Sequence, residues 1–191
     1  MRRSLVQDLA SLQNALANFK TVDNRLGVQD LHTILDALPT GAYVGQVVRG
    51  YSPDLGDGTF ILLAGVASNA KGSAVVFNGL TGAVALTLSG THLNKGCPVA
   101  ISLTANTSAS KYSWYQIAGN AFVVSPATVA ANAIVYMTTS AGLLDDASIN
   151  GCQILGARTA TATAATVGNT TLGAAEFIAT LNNPTIQSGA V

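Results

Sequence analysis

The feature that most constrains this chain is a series of short apolar runs from about residue 42 onward, each followed by turn-forming residues. The runs are four to eight residues long, which is typical of strands and short for helices. Because no long helical pattern interrupts them, the spacing favours antiparallel strands over alternating strands and helices. The predicted strands are 42–49, 59–63, Ala74–Phe77, Ala83–Leu88, Val99–Leu103, Tyr112–Ile117, Ala121–Val124, Ala133–Thr138, Gln153–Ala157 and Ala175–Leu181. The predicted fold class is therefore mainly β, an antiparallel sandwich or barrel of jelly-roll-like form.

Three segments of this β-rich region are predicted from local composition. Gly119-Asn120 stands between two apolar runs and predicts a hairpin. The uncharged stretch from Thr159 to Ala175 fits either a strand with outward-facing threonines or an extended surface loop. The tail from Pro184 to Val191 is expected to be frayed or bound to a neighbouring molecule.

The first forty residues have a different period. Apolar side chains alternate in steps of four and three, which is the spacing of a heptad seam: Leu5, Leu9, Leu12, Leu16 and Phe19. A second amphipathic stretch runs from Val28 to Leu38 and ends at Pro39. These patterns predict an N-terminal helical arm over 1–40 and a β-rich body over 41–191.

The seam of the arm is the best candidate for a contact surface. Two heptads are too few to hold an isolated coiled coil in water, so the seam must dock on something. Both its own body and a partner subunit remain possible partners.

Charge is scarce and unevenly placed. The chain has 9 basic and 9 acidic side chains, and its formal net charge is zero. Residues 1–57 carry 11 of these charges, whereas residues 58–191 carry 7. A nucleic-acid partner is not expected, since such binding needs a surplus of Lys and Arg. A neutral surface of small residues desolvates cheaply, so we expect subunits to cover much of the body, although it could simply be charge-poor.

The sequence offers little for membranes, metals or disulfides. No window approaches 18 consecutive apolar residues, and polar side chains interrupt 4–19, so neither a membrane span nor a signal peptide is expected. Cys97 and Cys152 lack metal-ligand spacing and are expected to be small buried residues. We therefore expect no cofactor and no membrane partner.

Candidate catalytic residues are equally few, so we do not expect this chain to be an enzyme. His32 is predicted to be a partly exposed helix residue, and His92 lies in a glycine-flanked turn five positions before Cys97. A Cys–His nucleophilic pair is conceivable but disfavoured, because the histidine of such a pair usually comes from a distant segment. The segment 54–58 reads as a β-turn more than as a calcium loop. Asp145 and Asp146 are expected to accept main-chain N–H groups in a turn.

The aromatic cluster of Tyr112, Trp114 and Tyr115 allows two interpretations. On a strand, Tyr112 and Trp114 share one face and could form a platform for carbohydrate. Filling the core is the favoured interpretation, because the body has few other large side chains.

The C-terminal half resembles a known family. Trp114-Tyr115-Gln116-Ile117 with Gly119 precedes a stretch of the form V-Y-x-T-x-x-A-G-x-x-D-D-A over 135–147, then Gly156-Ala157 and a closing Leu181-Asn182-Asn183-Pro184. These motifs resemble those of the head decoration, or cement, proteins of tailed bacteriophages. The resemblance covers roughly residues 112–184, while the arm and residues 60–110 lie outside it.

The resemblance implies a non-enzymatic, β-rich virion protein. Such proteins are often trimers that bind the outside of the major capsid protein shell and stabilise the head. After synthesis in the host cytoplasm, the chain would then lie on the head exterior, with the arm seam as its candidate subunit or capsid interface. The alternatives are another phage structural component (tail, fibre or head-fibre base), a carbohydrate-binding module that uses Trp114 and Tyr112, and a hydrolase whose site the sequence does not reveal.

Overall fold

The computed structural model describes residues 20–21, 30–52, 54–89, 95–168 and 170–187. Within these residues the chain forms β-strands and no helix. The strands are β1 (Lys20–Thr21), β2 (Val47–Ser52), β3 (Gly56–Ala64), β4 (Ala74–Phe77), β5 (Val84–Leu86), β6 (Val99–Ser102), β7 (Tyr112–Val124), β8 (Ile134–Met137), β9 (Leu144–Asp145), β10 (Gln153–Thr159), β11 (Thr166–Val167), β12 (Thr170–Thr171) and β13 (Glu176–Ile186). The prediction of a mainly β, antiparallel fold is confirmed.

One sheet contains eleven of the strands found in the described residues. Its main path runs in the order β1-β2-β3-β7-β13-β10-β8-β9, and β6 connects β4 and β5 to β7. Every pair in this sheet is antiparallel. The sheet curls into a half-barrel, and the separate hairpin of β11 and β12 lies between β10 and β13 in the chain.

Apolar side chains form three buried clusters on this sheet. The first core lies along β8, β10 and β13 and contains Val135, Ile154 and Phe177. The second core surrounds Phe60 and Trp114 and also contains Leu31, Leu62 and Ile178. The third core lies between β3, β4, β6 and β7 and contains Ile61, Leu63, Val75, Ala100 and Tyr115. Burial of apolar surface in these clusters is the main force that holds the curled sheet together.

The hairpin predicted at Gly119-Asn120 is wrong. Residues 112–124 form the single long strand β7, which pairs with β3 through its first part and with β13 through its second part. Gly119 has a φ of +90°, and the β3–β7 register shifts beside it, because Thr59 pairs with Ala118 while Phe60 pairs with Gln116. The glycine therefore marks a β-bulge inside a strand rather than a turn between two strands.

The predicted helical arm is wrong wherever the structure describes it. Lys20–Thr21 is strand β1, paired with Gly50 and Tyr51 of β2. Residues 30–40 contain turns and bridges but no helix, and His32 lies in a turn. The remainder of the arm, including the seam residues Leu5, Leu9, Leu12, Leu16 and Phe19, lies outside the described residues. The division of the chain at residue 40 stays a prediction.

Two other predictions receive a definite outcome. Within the Thr159–Ala175 stretch, Thr161 to Ala165 form no strand, and the short β11–β12 hairpin follows them. The stretch is therefore mainly a loop. The prediction of a frayed or neighbour-bound tail is wrong for its first residues, since Pro184 to Ile186 belong to β13 and Ile186 is buried in the first core.

Candidate functional site

An open groove of about 700 Å³ runs along β10. Its lining consists of residues 153–160 together with Asn132, Ile134, Thr180 and Asn182. We call this recess the β10 groove. It lies on the part of the sheet formed by β8, β10 and β13, whose opposite face carries the first core.

The β10 groove exists because β10 leaves regular register with both of its neighbours. Toward β8, Gln153 pairs with Tyr136 and Arg158 with Ile134, so residues 154–157 of β10 stand opposite Val135 alone. Toward β13, Leu155 pairs with Thr185 and Ala157 with Leu181, so Gly156 stands opposite residues 182–184. Extra residues of this kind bend a strand and interrupt its ladder.

Gly156 is required at the centre of this irregularity. Its φ is +76°, and a Cβ atom at this position would lie 2.6 Å from the main-chain oxygen of Asn182. Asn183 on the facing strand also has a positive φ, of 45°, a conformation that asparagine tolerates better than most residues. The Gly156-Ala157 and Leu181-Asn182-Asn183-Pro184 motifs therefore meet at one place, although 24 positions separate Ala157 from Leu181.

The side chains of the groove are mostly neutral. Ile134 and Leu155 are 41% and 44% exposed, which is unusual for aliphatic residues in this molecule. The remaining polar lining residues are amides and hydroxyls, and Thr180 Oγ1 donates a 2.9 Å hydrogen bond to Asn120 Oδ1.

Arg158 is the ionisable residue among those that line the groove. Its Nη2 donates a 2.7 Å hydrogen bond to the main-chain oxygen of Asn132. This bond fixes one end of the guanidinium at the groove wall. The lining thus combines two aliphatic side chains, several neutral hydrogen-bonding groups and one cation, with no carboxylate.

The aromatic cluster lies elsewhere and fills the core. Trp114 and Tyr115 are 1% and 0% exposed, so the prediction that they fill the core is confirmed. Burial raises the pKa of Tyr115, against the opposing effect of hydrogen bonds with Ser113 and Ser102. The platform that would use Trp114 and Tyr112 is not formed, because Trp114 presents no ring face to solvent.

The acidic residues singled out in the sequence have structural roles. Asp145 Oδ1 accepts the N–H of Asp146 at 2.7 Å, and Asp146 Oδ2 accepts the N–H of Ala130 at 2.8 Å. Both carboxylates therefore accept main-chain N–H groups, as predicted, but the predicted turn is not what they stabilise, because Asp145 belongs to β9 and Ala130 lies 16 positions from Asp146. Asp54 lies in the connection between β2 and β3, while Asp57 belongs to β3 itself. The described residues contain no group of three or more His, Cys, Asp or Glu side chains that could hold a metal ion.

The remaining titratable residues do not meet in a site within the described part of the chain. Burial lowers the pKa of His32, and the Asp30 carboxylate, with Oδ1 3.4 Å from Nδ1, partly opposes this shift. Cys152 is buried and Cys97 half-buried, and both side chains pack at the first core. His92, the histidine considered as a partner for Cys97, lies outside the described residues.

No protein-family model matches this chain, and no curated protein matches it. Among the described residues there is also no helix that is both long and apolar enough to span a membrane.

The sequence motifs singled out between residues 112 and 184 fold into one contiguous part of the sheet. The Trp114 segment lies in β7, the 135–147 stretch covers β8 and β9, and the two last motifs lie in β10 and β13. In the sheet these strands are neighbours, in the order β7-β13-β10-β8-β9. Sequence reasoning found the motifs but missed the groove between them. The exposed Ile134 and Leu155 could not be distinguished in the sequence from buried aliphatic residues.

Proposed function

We propose that this chain is a non-enzymatic decoration protein of a tailed-phage head, which binds the outside of the major capsid protein shell and stabilises it. The observation that carries the proposal is the arrangement of the resembling motifs. Segments spread over residues 112–184 come together as five adjacent strands with an open groove between them. Short motifs that form one contiguous part of a sheet are better support than the same motifs scattered over a fold.

The character of the body also fits a protein that is covered by others. Residues 58–191 carry 7 charged side chains in 134 positions, and the β10 groove is lined by neutral residues and one arginine. Charged residues are depleted at the cores of protein interfaces. A neutral body therefore suits extensive packing against a shell, in which affinity comes from area summed over many contacts.

The finer parts of the proposal concern assembly. We expect a homotrimer on the head exterior, synthesised in the host cytoplasm, with no nucleic-acid or membrane partner. We also expect the complete fold to be a jelly-roll-like sandwich or barrel, of which the curled sheet forms one part. A second structural role, in a tail, fibre or head-fibre base, rests on the same neutral surface.

Binding to heads tests the proposal. The purified chain is mixed with expanded heads of the phage that encodes it, prepared without this chain, and the heads are pelleted. Saturable co-sedimentation is expected, and sedimentation velocity of the free chain should give a trimer. Purified tails serve as the comparison particle. Binding to tails in place of heads would favour the tail or fibre role, and binding to neither would contradict both.

A further inference from the structure

We propose that the β10 groove receives an extended segment of the major capsid protein, which carries an aliphatic side chain and a nearby carboxylate. This inference rests on the proposed function and assigns its contact surface to β8, β10 and β13. The arm seam and the expected trimer stay separate predictions.

The dimensions of the groove favour an extended occupant. Residues 153–160 line it, and eight residues at the rise of a strand span on the order of 23 Å. The groove follows a single strand over this length, so an extended segment of about eight residues would match it end to end.

The aliphatic part of the occupant follows from the groove lining. Ile134 and Leu155 belong to neighbouring strands, and each leaves more than two fifths of its surface in water. Covering them with another aliphatic side chain removes apolar surface from water on both partners. The amides of Asn132, Gln153 and Asn182 provide hydrogen-bonding groups at the edges of this apolar patch.

The carboxylate follows from the charge of the groove. Arg158 has five N–H donors, and its Nη2 is oriented by Asn132. No acidic residue lines the groove to neutralise it. A carboxylate on the partner would complete a planar, bidentate pair of the kind that guanidinium groups form best. A neutral or basic segment would leave this cation without compensation when the groove is covered.

Matched substitutions on two surfaces test the inference. Leu155→Asn and Arg158→Glu change the groove, while Val47→Asn and Arg49→Glu change exposed residues of β2. Val47 is 49% exposed, close to the 44% of Leu155, so the two asparagine variants remove similar exposed groups. Each groove variant should weaken binding to expanded heads at least about tenfold, and each control should change it less than about twofold.

A second measurement does not depend on substitutions. Hydrogen exchange is followed in the wild-type chain, free and bound to heads. Peptides covering 153–160 should be protected on binding, and peptides covering 47–52 should exchange as in the free chain. Thermal unfolding of all four variants serves as the folding control, since the altered side chains are exposed.

The outcomes separate this inference from the proposed function. If wild type binds heads but the groove variants bind equally well and 153–160 is not protected, the groove assignment is overturned and the proposed function stands. If the groove variants lose self-association while the residual subunits still bind heads, the groove holds a second copy, which also overturns the assignment. If wild type binds no heads, both proposals fall.

Discussion

At the scale of single residues, the glycines of this chain serve different purposes that the sequence does not distinguish. Gly119 is the clearest case. A Cβ atom there would lie 2.3 Å from the main-chain oxygen of Asp57, and the residue has a φ of +90°. Gly56 also has a positive φ, of +78°, but nothing lies within 4 Å of the position its Cβ would take. The two residues separate the cost of a steric clash from the cost of backbone conformation.

Gly119→Ala should therefore destabilise the protein far more than Gly56→Ala. The left-handed conformation costs an alanine about 1 kcal/mol, and this cost applies to both variants. At Gly119 the clash with backbone adds to it, so we expect a total loss above about 3 kcal/mol in the free energy of unfolding. Urea unfolding of both variants measures the difference. Equal losses would contradict the bulge between β3 and β7.

This residue also shows where prediction from the sequence ended. The pair Gly119-Asn120 predicted a hairpin because glycine and asparagine favour turns. In the structure Asn120 Nδ2 donates to the main-chain oxygen of Leu55 at 3.2 Å, and its strand continues. A bulge and a hairpin turn can both use a glycine with positive φ, so the residue pair alone does not distinguish them.

At the scale of elements, the segment 30–40 shows why an apolar spacing of three and four residues is insufficient evidence for a helix. Leu31 and Leu35 do face one core, as the spacing suggested. However, Leu35 exchanges both main-chain hydrogen bonds with Tyr112, at 2.8 and 2.9 Å. Main-chain groups that bond to β7 are not available for a helix. The core-facing residues could thus be predicted, whereas the backbone conformation depended on a distant strand.

Leu31→Ala tests whether this segment is part of the folded body. Leu31 is 0% exposed in the second core, so truncation should cost about 2–4 kcal/mol through lost burial and the cavity that remains. Ile34→Ala is the matched control, because Ile34 is 37% exposed, and it should cost less than about 1 kcal/mol. Chemical denaturation monitored through Trp114 fluorescence follows both. Equal, small losses would place 30–40 outside the body and support the predicted boundary at residue 40.

At the scale of the whole molecule, the charge pattern and the strand spacing were sufficient to predict a neutral, mainly β, antiparallel body. The positions of β4, β6, β8 and β10 were also predicted to within a few residues. The order of strands in the sheet was not, because it places β13 between β7 and β10. The β10 groove depends on that order and on the irregular register of β10 with β13 and β8, so the candidate surface could not be recognised before the topology was known.

The central claim is that this chain decorates the exterior of a phage head. Electron cryo-microscopy of heads prepared without the chain and then saturated with it tests the claim most directly. We predict added density on the outer surface of the shell, repeated with the symmetry of the capsid, in which β8, β10 and β13 face the shell. The account would be contradicted if saturated heads had the same outer surface as untreated heads. The concentration of the chain in this experiment should be high enough to saturate any binding to purified tails.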